Sequence, residues 1–452
     1  MDSKMAVIAP FRGLTYNVDR LGDISRLVAP PYDVISEEEQ EEYYQTDPYN
    51  IIRLILGKTK IGDSDWDNRY TRAADLFQRW ESEDAFIRDE FPSMYLTSLT
   101  YDPEDGRGPR VRWGVIVVVK IEEEDSGVIL PHERTFSAHR EDRLKLMRTC
   151  NAQFSQIFSL FEDPHGDLLH TFEGISQTPP HFSFPFMDGT GHEMWIVQEP
   201  EILEKAARVM AEKRIFIADG HHRYETSRNY RNIMRARYGK RPHNRSYEYV
   251  VMYLTSMDDP GLTILPSHRL VKRCPDFDLD IFMGKVKRWF DITTIPSGKG
   301  DGALRKSLEE QGRATSAIGF HHHGLAQDYL LTLKPETRDQ MGDDLAPPLR
   351  ELDVLVLSRF ILQSALGFTR ADLDNEEIFH YQSDFPRAMA VVDSGDCQMA
   401  FLLNPTRIEQ VKEVAGSGLI MPRKSTYFYP KILTGLVFNK IVPNETIEFP
   451  TS

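Results

Sequence analysis

Cysteine is scarce in this chain: Cys150, Cys274 and Cys397 are the only three, far apart and odd in number. That leaves no disulfide framework and no zinc spacing, and it points to a reducing compartment. Long apolar runs are missing too. The longest, such as Val115 to Val119, have the length of a strand and cannot span a bilayer. The N-terminus shows no stretch apolar enough for a signal peptide. Positive charge is not in excess either, with 54 Lys and Arg against 69 Asp and Glu and a formal charge of −15. Duplex nucleic-acid binders usually carry a basic footprint, so no nucleic-acid partner is expected, although a local basic pocket for a small anion remains allowed. There is no G-x-x-x-x-G-K loop, no G-x-G-x-x-G after a strand and no nucleophile-elbow serine. The expectation is a cytoplasmic protein with no membrane and no nucleic-acid partner.

What is present is an ordinary globular composition, 40% hydrophobic and 27% charged, over 452 residues, enough for two domains. Ala29-Pro30-Pro31-Tyr32-Asp33-Val34-Ile35 reads as rigid extended chain. Ser36 followed by Glu39 reads as a capping box opening a helix. Ala73, Ala74, Phe77 and Trp80 fall on one face of a helix over Tyr70 to Asp84. Ser93 to Tyr101 and Val111 to Ile121 form a hairpin around a Pro- and Gly-containing turn. A helix runs through Cys150, and strands are expected over Gln153 to Phe161, Tyr247 to Thr255 and Glu376 to Tyr381. Helices are expected over Phe282 to Phe290 and Leu352 to Leu366. Pro296 to Gly302 reads as a loop.

The densest chemistry lies at Asp219-Gly220-His221-His222-Arg223. An apolar β-branched run from Arg214 ends there, and a segment of helical composition follows, which predicts a strand, a glycine turn and a helix start. Such a corner aims free backbone N–H groups and the helix dipole outward, a setting that favours phosphate. Gly220 allows a sharp turn or a close approach. Arg223 offers a planar fork, His221 or His222 can donate, and Asp219 can hold Mg²⁺ or orient a neighbour. The plain alternative is a capped helix with packed or solvated histidines. Glu133, after the proline-fixed turn Pro131-His132, could be a general base or a solvated surface residue. Lys424-Ser425-Thr426 could clamp an anion or be a loop ordered by Tyr427-Phe428-Tyr429. In His321-His322-His323, neighbouring side chains on a strand point to opposite faces and seldom converge on one ion, so the run reads as an exposed strand edge.

Ala29 to Ile35, His132-Glu133, Asp219 to Arg223 and Met421 to Pro430 together resemble, in order and over essentially the whole chain, the domain-of-unknown-function family numbered ten-fifteen. More distantly, the chain resembles the free-serine kinases of the ParB/sulfiredoxin superfamily. Those carry Pro-His-Glu, then Asp-Gly-His-His-Arg after a strand, then Pro-Lys-Thr-Thr. Here the counterparts are Pro131-His132-Glu133, Asp219 to Arg223, and Pro422-Arg423-Lys424-Ser425-Thr426, with Arg423 inserted and extra sequence before His132 and in the middle.

The resemblance implies an α+β fold. A ParB/sulfiredoxin-like mixed-sheet nucleotide-binding part with an N-terminal extension would occupy 1–275. A second α/β part over 276–452 would carry the Lys-Ser-Thr motif and close the pocket. It implies a small-molecule phosphotransferase, a free L-serine kinase making O-phosphoserine from ATP or ADP with Mg²⁺. Glu133 would be the catalytic base, and Asp219 would assist it or hold the metal. Gly220, His221, His222 and Arg223 would cradle the phosphates, and His132, Lys424, Ser425 and Thr426 would bind the amino acid. The alternative it leaves open is a non-catalytic or NTP-hydrolysing, nucleotide-gated binding protein of the ParB-like type.

Overall fold

The computed structural model describes residues 5–103, 106, 108–133, 137–296 and 302–448. It divides into two compact units. The first takes in Met1–Pro131, Thr135–Leu262 and Pro430–Ser452; the second takes in His132–Arg134 and Thr263–Tyr429.

The first unit is built on strands β1 (Ile8–Ala9), β2 (Met94–Tyr101), β3 (Arg110–Lys120), β4 (Ile129–Leu130), β5 (Ile157–Phe161), β6 (Phe182–Pro185), β7 (Gly191–Val197), β8 (Ile215–Asp219) and β9 (Tyr249–Ser256). They form one nine-stranded sheet in the order β4-β8-β5-β9-β3-β2-β7-β6, with β1 beside β3. The sheet is mixed: β8 runs parallel to β4 and β9 runs parallel to β5, while the other pairs are antiparallel. The expected hairpin is β2–β3, register Tyr95↔Ile116 through Tyr101↔Arg110. Val115 to Val119 are all buried, so β3 is covered on both faces, which is why it reads as an unbroken apolar run.

Helices of this unit include α1 (Glu37–Thr46), α2 (Arg69–Ser82), α3 (Ser137–Cys150) and α4 (Pro200–Met210). Ser36 caps α1 in the expected box with Glu39. On α2, Ala73, Ala74, Phe77 and Trp80 are the buried residues, as their spacing predicts. Leu203, Ala206 and Met210 of α4 join Val115, Val117, Ile215 and Ile217 in the main apolar core.

The second unit has a six-stranded antiparallel sheet. Its strands are β10 (His268–Val271), β11 (Phe290–Pro296), β12 (Ala317–His322), β13 (Gln327–Leu333), β14 (Phe379–Gln382) and β15 (Met399–Leu403), ordered β11-β13-β12-β15-β10-β14. A separate pair joins Thr263–Leu265 to Tyr427–Tyr429.

Several local expectations are corrected. Tyr32–Val34 is a 3-10 turn, because the φ of Pro31 suits a helical start as well as extended chain, and the proline rule restrains the residue before a proline, not those after it. The strand expected over Gln153 to Phe161 is two, Ala152–Gln153 and Ile157–Phe161. The helix expected to reach Phe290 ends at Val286, and Phe290 opens β11. The helix over Leu352 to Leu366 forms, but its second part, Leu357–Ala365, is wound as a π-helix. The histidine run is not an exposed edge. Strand β12 lies between β13 and β15, His321 is 3% exposed, and its ring bonds Asp328 through Nδ1 at 2.7 Å and Asp393 through Nε2 at 3.1 Å. Of the loop expected over Pro296 to Gly302, Pro296 ends β11 and Gly302 opens a helix (Gly302–Gly312), and 297–301 lie outside the described residues.

Candidate functional site

The corner forms as the residue pattern predicts. Strand β8 ends at Asp219, Gly220 takes φ +95°, and helix α5 (His221–Tyr238) begins. Strict alternation would aim Asp219 the same way as Ile215 and Ile217, into the apolar core. The pairing of β8 with β5 shifts register between Ile217 and Asp219, and this irregularity re-aims the carboxylate. Gly220 supplies no capping side chain to α5.

Asp219 is held by two cations. Arg223 Nη2 donates to Oδ2 at 2.7 Å, and Lys431 Nζ donates to Oδ1 at 3.0 Å. Burial pushes the Asp219 carboxyl up, but Lys431, Arg223 and His221 together hold it well below the usual carboxylate range. It is therefore a fixed anion at neutral pH. Arg223 Nη1 also donates to the Gln156 carbonyl, and Gln156 is anchored through Nε2 to Val437 O at 2.7 Å. The break between the two strands at 154–156 thus supplies a backbone acceptor that orients the guanidinium.

Beside Arg223 lies a cavity of about 50 Å³ lined by Tyr32, Arg143, Phe154, Ser155 and Thr226. The Arg143 guanidinium carbon sits 3.9 Å from the Tyr32 ring centroid. Asp142 accepts from Tyr70 Oη at 2.6 Å and from Arg143 Nε at 2.6 Å, and it also pairs with Arg69. Burial pushes the Tyr32 hydroxyl up to about 12, Asp33 adds to this, and Arg143 and Arg223 oppose it. A larger cavity of about 1010 Å³ lies at the other end of β8, lined by Lys205, Arg208, Lys213, Arg214 and Phe216, and it does not include the corner. That larger cavity has charged groups of its own, including Glu162, Asp167 and Glu212, whereas the small one adjoins Arg223 of the corner.

The remaining candidates belong to the second unit. Glu133 pairs as an isolated parallel bridge with Met421, and Met421 N donates to His132 O at 2.8 Å, so the Pro-His-Glu segment lies along the start of the Lys-Ser-Thr loop. His132 is fully buried, and its Nε2 lies 3.1 Å from Thr426 Oγ1. Ser425 is 2% exposed and donates to Pro422 O at 2.7 Å, inside the loop. Lys424 is exposed and takes φ +54°, a left-handed conformation that a residue with a side chain adopts only under constraint.

The expected residues thus fall into two groups. Asp219, Gly220, His221, His222 and Arg223 stand in the first unit with Lys431, and His132, Glu133, Lys424, Ser425 and Thr426 stand in the second. Lys431 was not among the residues expected from the sequence. Its one signal there is its position directly after the Tyr-Phe-Tyr-Pro430 stretch. The Tyr32–Arg143 contact was also unforeseen, although both residues lie in segments whose composition stands out.

Asp219 does not fit as a direct Mg²⁺ ligand in this arrangement. Each of its oxygens faces a cation, and among the described residues no cluster of three or more His, Cys, Asp or Glu could hold a metal.

No curated protein matches the chain. Among solved structures, it is similar to a free serine kinase in complex with AMP (12% identity, TM-score 0.32), covering 69% of this chain and 86% of that one. It is similar to a mutant free serine kinase in complex with ADP (11% identity, TM-score 0.34), covering 72% and 91%. It is also similar to SbnI with a C-terminal truncation from Staphylococcus aureus (11% identity, TM-score 0.34), covering 71% and 85%. These scores mark a loose likeness that carries no weight in assigning an activity. A family model described as "Protein of unknown function (DUF1015)" matches residues 8–355, well over half of the sequence, and the chain belongs to that family.

Proposed function

We propose that the protein is a small-molecule phosphotransferase that moves a phosphoryl group from ATP or ADP to the hydroxyl of free L-serine, giving O-phosphoserine. The observation that carries this is the charged corner at the start of α5, where Asp219 holds Arg223 and Lys431 at 2.7 and 3.0 Å beside a glycine turn. Two cations kept in place by one half-buried carboxylate, next to backbone N–H groups at a helix start, form a setting suited to nucleotide phosphates. The ordered motifs Pro131-His132-Glu133, Asp219 to Arg223 and Pro422 to Thr426 support the same assignment. So does the resemblance to ParB/sulfiredoxin-like kinases, with a nucleotide-binding part over 1–275 and the Lys-Ser-Thr motif in 276–452.

In this proposal Glu133 takes the proton of the serine hydroxyl as its oxygen forms the new P–O bond. The bond to the departing nucleotide breaks, and ADP or AMP leaves with the electron pair. Gly220, His221, His222 and Arg223 bind the phosphates, with Lys431 added to that set. Asp219 assists by fixing the two cations. Lys424 and Thr426 contact the amino acid. His132, being fully buried, acts by holding Thr426, and Ser425 by shaping the loop. Mg²⁺ enters as a companion of the nucleotide phosphates, and no step is assigned to it. Such chemistry asks the protein mainly to position groups and neutralise charge.

The test is a pair of variants assayed with Mg²⁺, nucleotide and L-serine, with product identified by mass. Glu133→Gln is expected to keep nucleotide binding and lose turnover by about a hundredfold or more. Arg223→Ala is expected to weaken nucleotide binding by tenfold or more. Wild-type turnover in Glu133→Gln removes Glu133 as the base. Nucleotide binding without turnover of any hydroxylated acceptor by the wild-type protein favours instead a nucleotide-gated binding protein.

A further inference from the structure

Arg269 stands on β10, and only 6% of it is exposed. Its ring-facing contact is with Tyr381 across the sheet, guanidinium carbon to ring centroid 4.8 Å, at the register pair Arg269↔Tyr381. Two of its N–H groups have protein acceptors, and both acceptors are neutral carbonyls. Nη1 donates to Ser267 O, and Nη2 donates to Arg423 O at 3.2 Å. Among the described residues no carboxylate pairs with it at ion-pair distance, although the charge of Glu133 is near enough to act on it.

A buried guanidinium is costly unless a counter-charge meets it. Some other buried arginines here do have one: Arg231 pairs with Glu123 at 2.9 Å, and Arg143 pairs with Asp142. Arg269 has no such pair among the described residues, and it sits where the chemistry is dense. The carbonyl it holds belongs to the residue before Lys424, and after Tyr381 the charge of Glu133, the proposed base, acts on it.

We propose that Arg269 is the carboxylate-binding residue of the acceptor subsite, its planar fork receiving the α-carboxylate of a small hydroxylated acid. The class of acceptor rests on the phosphotransferase proposal, but the need for an anion at Arg269 does not. A carboxylate there supplies the missing counter-charge. Its attachment to a short hydroxyl-bearing carbon chain would also bring the acceptor hydroxyl toward the proposed base, whose charge acts on this guanidinium. Planar bidentate recognition explains why arginine, rather than lysine, occupies the position. Arg269 also ties β10 to the Lys-Ser-Thr loop, so an occupied guanidinium would fix the loop that presents Lys424 and Thr426.

Calorimetric titration of the full chain with L-serine, D-glycerate and L-homoserine, each against its amide, tests this without requiring turnover. At least one acid is expected to bind tenfold to a hundredfold more tightly than its amide. In Arg269→Lys, which keeps the charge but not the fork, that preference is expected to fall by about tenfold. Equal binding of acid and amide in every pair, including no binding of either, overturns the assignment, as does an unchanged preference in Arg269→Lys. The wild-type comparison stands even if the variant fails to fold. A carboxylate preference that depends on Arg269, with no phosphorylated product from any nucleotide, would sink the phosphotransferase proposal and leave the anion site intact.

Discussion

At the scale of single residues, Gly220 sets the geometry on which the corner depends. Its φ of +95° is strained for any other residue, and a Cβ there would meet Arg223 Nε at 2.9 Å and its Cζ and Nη2 at 3.0 Å. Gly220→Ala therefore adds backbone strain of about 1–3 kcal/mol and pushes the guanidinium from its place against Asp219. The expected result is a lowered urea midpoint together with weaker nucleotide binding. An unchanged midpoint would mean that the turn relaxes freely. The five residues from Asp219 to Arg223 were legible as a unit because they are contiguous and unusual in composition. Lys431 was not, because the partner it meets lies 212 positions earlier. Arg269 stood in plain view after Ser267-His268, yet nothing in the order of residues marks it as lacking a carboxylate.

Among elements, α2 shows where periodicity suffices. Ala73, Ala74, Phe77 and Trp80 were picked out by spacing and are the four buried residues of the helix. Phe77 lies edge-on to Phe154, centroids 5.1 Å apart at 85°. Phe77→Ala should cost about 3–5 kcal/mol, whereas Gln78→Ala, one residue along and exposed, should stay within about 0.5 kcal/mol. Denaturant titration of the two variants measures the contrast, and comparable losses would refute the assigned face. The same apolar logic over-extends the strand at Gln153 to Phe161. Phe154 is buried away from any ladder and Gln156 turns its backbone toward Arg223, so an apolar run conceals a change of direction. The end of β8 is the converse case, in which a register irregularity releases Asp219 from the alternation that strand composition would predict.

For the molecule as a whole, buried histidines weigh against acid, while Asp353, which burial pushes up to about 6, works the other way by gaining stability as pH falls from there toward 3.8. Burial pulls His192 down from 6.5 to about 4, and burial followed by Arg269 and Arg305 pulls His268 down to about 3. The unfolded chain takes up these protons near pH 6.5 while the folded chain refuses them, so their contribution is complete above 6.5 and is lost as pH falls toward those lower values. Each adds up to about 1.4 kcal/mol of lost stability per pH unit in that window. His321 works oppositely. Burial lowers it, but Asp328 and Asp393 raise it overall, so its contribution is present below 6.5 and fades as pH rises through its raised value. The urea midpoint should therefore fall on acidification from pH 6.5 to about 4, and His268→Gln should flatten that slope. An unaltered slope would show that His268 is protonated in the folded state. No helix of the described residues is long and apolar enough to cross a membrane.

The order of residues alone fixed the local grammar: the capping box at Ser36, the buried face of α2, the β2–β3 hairpin and the strand–glycine–helix corner. Each of these depends on side chains and backbone preferences within a few positions of one another. Family membership was legible for a related reason, since its motifs recur in order along the chain. Tertiary folding settled how charges are neutralised. It brought Lys431 to Asp219, Gln156 to Arg223 and Asp393 to His321, and it left Arg269 buried against carbonyls and a ring. Electrostatic partnership depends on distance through space and on exclusion of water, and neither quantity is encoded at any single position.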